Sequence, residues 1–148
     1  MQIPMSSPDL TAADVEAVTS VLATRYLSLG PRIAEFEDRF AAYVGTRHAI
    51  GVSSGTTGLH LCIIAAGVGE GDLVVTTPFS FVSSANCILF ERAIPIFVDI
   101  DPHTFNINPA LVAAAADDLA RGGDAAKPWL PPAIRNSQSA IRNPQFAV

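Results

Sequence analysis

The chain has 148 residues, 49% of them apolar and 16% charged, with a mean hydropathy of +0.35, a composition suited to one ordinary buried core. A net charge of −5 and scattered arginines leave no basic face for nucleic acid or for an anionic membrane surface. No run reaches the roughly 18 to 20 apolar residues of a membrane span, and Met1-Gln2-Ile3-Pro4 lacks the basic, apolar start of a signal peptide, so a cytoplasmic protein is expected.

Thr11 and Asp14 have the spacing of a capping pair, and Val15, Val18 and Leu22 follow on one face, predicting a helix over about 11 to 23. Gly30-Pro31 opens a second helix, because proline suits the first helical position, and its apolar stripe of Ile33, Phe36, Phe40 and Tyr43 or Val44 stops at Gly45. From His48 the texture changes to short apolar runs separated by small residues. It predicts strands at 48–52, 73–76 and 94–98, and helices at 56–66, 80–90 and 109–119. Strands alternating with helices of this length imply crossover units, hence an α/β fold with a largely parallel sheet covered by helices. Gly67 to Asp72 makes one of the turns.

Beyond about Gly122 no periodic apolar face survives. Lys127 to Pro132 holds three prolines, and Ala133-Ile134-Arg135-Asn136-Ser137-Gln138 nearly repeats as Ala140-Ile141-Arg142-Asn143-Pro144-Gln145. Residues 123–148 are therefore expected to be an irregular, poorly ordered tail, added by a frameshift or an inserted repeat to a body spanning 1–122.

Cys62 and Cys87 lie in apolar helical patterns and read as buried thiols. His48, His60 and His103 lack partners at the spacing of structural zinc sites, so no metal is expected. The strongest chemical signal is Ser53-Ser54-Gly55-Thr56-Thr57, between a strand-like and a helix-like run. A helix starting there presents free amides and the positive end of its dipole, Gly55 lets the backbone approach closely, and Ser54 and Thr56 add hydroxyls, which together suit a phosphate. An ordinary N-cap accounts for the same residues. No lysine follows as in a Walker loop, and the GxGxxG fingerprint is absent. Phe81, past the next strand's carboxyl end, is placed to stack on a flat heterocycle beside that seat, although core packing is the plainer role for it and for Phe79. Asp99 and Asp101 read as a turn rather than an acid–base pair.

Taken in order, these stretches resemble the DegT/DnrJ/EryC1/StrS family of sugar aminotransferases, which depend on pyridoxal 5′-phosphate (PLP). The matching stretches are Gly30-Pro31 through Gly45, His48 to Thr56, Leu59-His60-Leu61, Gly69 to Val74, Thr77 to Asn86, and Phe97 to Ile107. The resemblance covers about residues 3 to 120. It implies the N-terminal part of a type I PLP-transferase large domain, aspartate-aminotransferase-like. It also implies that Gly55, Thr56 and Thr57 hold the cofactor phosphate and that Phe81 stacks on the cofactor ring. Nucleotide-linked keto sugars as substrates, an amino donor that is usually glutamate, and a homodimer come with the family. Its enzymes also carry a lysine that anchors the cofactor covalently and an aspartate on the ring nitrogen. Neither occurs in the matching region, and the one lysine, Lys127, stands where the pattern has been lost. The expectation is thus a truncated family member that is inactive alone, with a non-catalytic phosphate-binding module or a non-functional remnant as alternatives.

Overall fold

The computed structural model describes residues 5–135, which form two compact units meeting at Gly51 and Val52. The Met1–Pro4 start and the second copy of the C-terminal repeat lie outside the described residues.

The first unit holds two helices. Helix α1 (Ala12–Leu22) starts at the expected capping box: the Thr11 amide donates to Asp14 Oδ2 at 2.8 Å, and the Asp14 amide donates to Thr11 Oγ1 at 3.4 Å. Helix α2 (Pro31–Val44) follows Gly30 and ends at Gly45, whose φ of +75° is the left-handed cap that glycine adopts without penalty. Along α2, Glu35 accepts from Arg32 at 2.6 Å and from Arg39 at 3.0 Å.

The expected strand at 48–52 is not formed. An extended segment becomes a strand only with a ladder partner, and here the Gly51 amide donates instead to Glu37 Oε1, at 2.7 Å. A side chain at Gly51 would come within 2.5 Å of Ile33 Cδ1, so glycine is what lets this segment lie against α2.

The second unit is built on a crossover. Helix α3 (Gly55–Ala65) leads to strand β1 (Leu73–Thr76), helix α4 (Ser83–Phe90) and strand β2 (Ile94–Phe97). Helix α5 (Pro109–Arg121) and the single turn α6 (Gly123–Ala126) follow. β1 and β2 pair in parallel, Leu73 opposite Ile94 and Thr76 opposite Phe97. The connection through α4 is what a parallel pair requires. Strand side chains alternate between faces, and both faces are covered. Val74 packs with Val68, Cys87, Ile88 and Ala93, whereas Leu73 and Ile96 pack with Leu119, Ala126 and Leu130. The α/β architecture with a small parallel sheet flanked by helices thus agrees with the sequence reading.

Two further details differ from expectation. The helix predicted from residue 80 begins at Ser83, leaving Ser80 to Val82 as its entry turn. Cys87 is buried, but Cys62 is exposed, because α3 buries none of its residues. Burial pushes the Cys87 thiol pKa up, opposite to what a reactive thiolate needs.

Beyond the single turn α6, residues up to 135 are irregular in backbone, yet the segment is packed. Leu130 is buried against the sheet, Trp129 Nε1 donates to Asp118 Oδ2 at 3.0 Å, and Arg135 Nε donates to the Leu130 carbonyl at 2.8 Å. The prolines remove helical periodicity without preventing a few large side chains from closing the core. Among the described residues, no helix is long and apolar enough to cross a membrane.

Candidate functional site

The start of α3 is organised by hydroxyls. Ser54, in extended conformation at φ −163°, is the N-cap, and its Oγ accepts from the Thr57 amide at 3.1 Å. Its carbonyl accepts from the Gly58 amide at 3.0 Å. Of the four amides that any helix start leaves over, the Gly55 and Thr56 groups at the first two positions remain without an intrahelical acceptor. Thr57 Oγ1 lies 3.0 Å from Ser54 Oγ and 3.3 Å from Ser53 Oγ, so three hydroxyls converge beside those amides.

A Cβ at Gly55 would meet nothing within 4 Å. Its backbone is not left-handed either, so the fold does not itself demand glycine there. The missing side chain leaves the helix start uncrowded at this position, and an anion at the two free amides would be favoured by the helix dipole. The residues present therefore fit a phosphate, with amides from Gly55 and Thr56 and a hydroxyl from Thr57, whose own amide is already taken by Ser54.

Phe81 occupies the entry turn of α4 and is 75% exposed. The core-packing role does not hold for it, nor for Phe79. The structure brings Gly55, Thr56 and Thr57 together but holds Phe81 on a separate turn. No hydrogen bond or ring contact joins it to them among the described residues.

The other candidates are structural. Asp101 Oδ1 accepts from the His103 amide at 2.8 Å and the Thr104 amide at 3.0 Å, a side-chain-closed turn. Hydrogen bonds from the Thr104 amide first, then the His103 amide, hold its carboxyl below the usual range. His60 Nε2 lies 2.6 Å from Glu91 Oε1, and its ring stands edge-on to Phe90, tying α3 to the end of α4. Lys127 is paired with Asp124 on its own turn of helix. Among the described residues no cluster of three or more histidine, cysteine or acidic side chains is arranged for a metal.

The sequence pattern of the DegT/DnrJ/EryC1/StrS aminotransferase family matches residues 8–121, most of the chain and all of α1 to α5. The chain belongs to this family. It is 43% identical over 113 residues to the spore coat polysaccharide biosynthesis protein SpsC of Bacillus subtilis, covering 76% of this chain and 29% of that one. It is also similar to the solved aminotransferase of Psychrobacter cryohalolentis, with a TM-score of 0.71 at 33% identity over 75% of this chain and 29% of that one. A Streptococcus pneumoniae protein solved in its PLP form gives a TM-score of 0.72 at 31% identity, covering 76% of this chain and 29% of that one. The chain thus spans less than a third of the length of these relatives. The Ser53–Thr57 cradle, both strands and the Phe79–Phe81 turn all lie inside the family match.

Sequence reasoning overlooked two features. The convergence of Ser53, Ser54 and Thr57 hydroxyls follows from the N-cap conformation of Ser54, which composition hints at only weakly. Phe105 lies 5.9 Å from Phe79 between ring centroids, and that contact has no local signal.

Proposed function

We propose that this chain carries the cofactor-phosphate subsite of a PLP-dependent aminotransferase acting on nucleotide-linked keto sugars in the cytoplasm, with a homodimer as its working form. The observation that carries the reading is the open front of α3, where the Gly55 and Thr56 amides and the Thr57 hydroxyl converge within the family match. Those three residues hold the phosphate, and the exposed Phe81 ring stacks on the pyridine ring. When bound, the cofactor supplies an electron-withdrawing ring that stabilises charge as an amino group, usually from glutamate, is moved.

This chain's own contribution is to bind and orient. Ser54 fixes the helix start, so the two amides are preorganised before any ligand arrives, and the hydroxyls of Ser53 and Ser54 set the direction of Thr57 Oγ1. Covalent anchoring is not among its roles: Lys127 is engaged by Asp124 in α6, past the end of the family match. Residues 1–122 are proposed as part of the large domain, and these 148 residues alone as inactive in transamination.

Titration of the purified chain with PLP, followed by calorimetry, tests the reading. Saturable binding that inorganic phosphate competes away, with no borohydride-fixed adduct on Lys127 by mass spectrometry, is the expected result. Equal affinity for pyridoxal lacking the phosphate, or a reduced adduct on Lys127, would overturn it.

A further inference from the structure

Helix α3 carries the cradle, yet the rest of the second unit holds it at few points. None of its residues is buried, and only Thr56, Thr57, Gly58, His60 and Ile63 are half-buried. Packing grips it at Ile63, which lies against the core cluster of Cys87 and Ile88. Among the described residues a single side-chain hydrogen bond joins α3 to another element. His60 Nε2, three residues past Thr57, lies 2.6 Å from Glu91 Oε1 at the end of α4. A carboxylate only accepts, so Nε2 carries the proton and donates. The Phe90 ring, 5.1 Å away between centroids and edge-on, limits how far the imidazole can swing.

The partner stands on firmer ground. The Glu91 amide donates to the Ile88 carbonyl at 3.2 Å, and the Gly71 amide donates to the Arg92 carbonyl at 3.1 Å. The Ile94 amide donates to the Asp72 carbonyl at 2.7 Å as β2 begins, and Ala93 between them is buried. Arg92 has a φ of +57°, a left-handed backbone that a residue other than glycine keeps only where its surroundings impose it. The turn that presents Glu91 is thus fixed by the sheet and its core, whereas α3 is not. The adjoining cation, Arg92, pairs with Glu70 at 3.3 Å, which leaves the Glu91 carboxylate to His60.

We propose that His60 is a positioning residue for the phosphate cradle, an inference that rests on the function proposed above. Amides at a helix start point along the helix axis, so whatever fixes that axis aims them. Ile63 alone leaves α3 a pivot. The bond from His60 to Glu91 adds a second fixed point, closer to the cradle, and so sets the direction in which the Gly55 and Thr56 amides face.

The test uses the full chain. His60→Phe keeps a ring beside Phe90 and a similar helix propensity but removes the donor; His60→Gln keeps an N–H donor; Glu91→Ala breaks the bond from the other side. The Gly55 and Thr56 amide signals are followed by NMR without ligand, and affinities for PLP and for pyridoxal are measured by calorimetry. His60→Phe and Glu91→Ala are expected to move both amide signals and to weaken PLP about fivefold, the size of one net hydrogen bond, with pyridoxal unchanged. His60→Gln should restore the amide signals and the PLP affinity, which a residue that only filled space would not do. Unmoved amide signals in His60→Phe and Glu91→Ala, moved signals with PLP affinity unchanged, or no rescue by His60→Gln overturns the proposal. Equal affinity of the unmodified chain for PLP and pyridoxal would strike the cradle reading itself, while the ligand-free amide signals still decide for or against the tie.

Discussion

Helix α2 and strand β2 are both apolar in pattern and nearly opposite in burial. α2 carries Ile33, Phe36, Phe40 and Val44 along one side and buries only Ala41, while β2 is four residues long and seals Ile96 completely. The difference is in the partners. Ile96 sits in a sheet with side chains pressing on both faces, whereas α2 belongs to a two-helix unit in which α1 buries nothing. An amphipathic period specifies that a helix forms; it does not supply the surface that covers it.

Substitutions sharpen this contrast, and the largest effect belongs to the sheet. Ile96→Ala should destabilise the second unit by about 2–5 kcal/mol, because the site is closed on both sides and cannot collapse. Urea unfolding followed by circular dichroism measures it, and a loss under about 1 kcal/mol would mean the sheet is less sealed than described. Trp129→Phe comes next, at about 1 kcal/mol, since it removes the donor to Asp118 and keeps most of the packing. No change there would break the claim that residues 123–135 close the sheet face. Gly55→Val should leave stability within about 0.5 kcal/mol, because a Cβ at this position would meet nothing within 4 Å. It should nevertheless weaken PLP at least about tenfold, or about 1.4 kcal/mol, by filling the space an anion needs.

Acid sharpens the comparison at the Asp101 turn. The Thr104 and His103 amides hold its carboxyl below the usual aspartate range, so the turn's contribution is present above that range and lost as pH falls through the depressed folded value. The His103 and Thr104 amide signals should move together in acid, and Asp101→Asn should flatten that titration. Phe36→Ala has the smallest expected cost, within about 0.5 kcal/mol, since its ring is already half exposed. A cost as large as that of Ile96→Ala would show that α2 is covered in solution.

How much was legible in advance follows the range of the interactions. Thr11 with Asp14, Gly30-Pro31 and Gly45 mark helix ends through contacts within a few residues, and these were readable. Ser54 with Thr57 is equally local, so the cradle could be found from its residues. The extended run at 48–52 looks the same whether a neighbouring strand or a Glu37 carboxylate receives its amide, and that choice is made 14 residues away. Trp129 and Leu130 were hidden by prolines because their burial depends on Asp118 and the sheet. The left-handed backbone of Phe105 is enforced by the bridge between Ile100 and Ile107, which no composition rule marks.

Trp129 is the one tryptophan of the chain, and its indole is tied to Asp118 beside the second core cluster. Intrinsic emission from this protein therefore gauges the docking of its proline-rich segment. A change in that emission would register the segment coming loose, and because PLP itself absorbs where indole emits, ligand titrations call for calorimetry or NMR in place of the convenient optical signal.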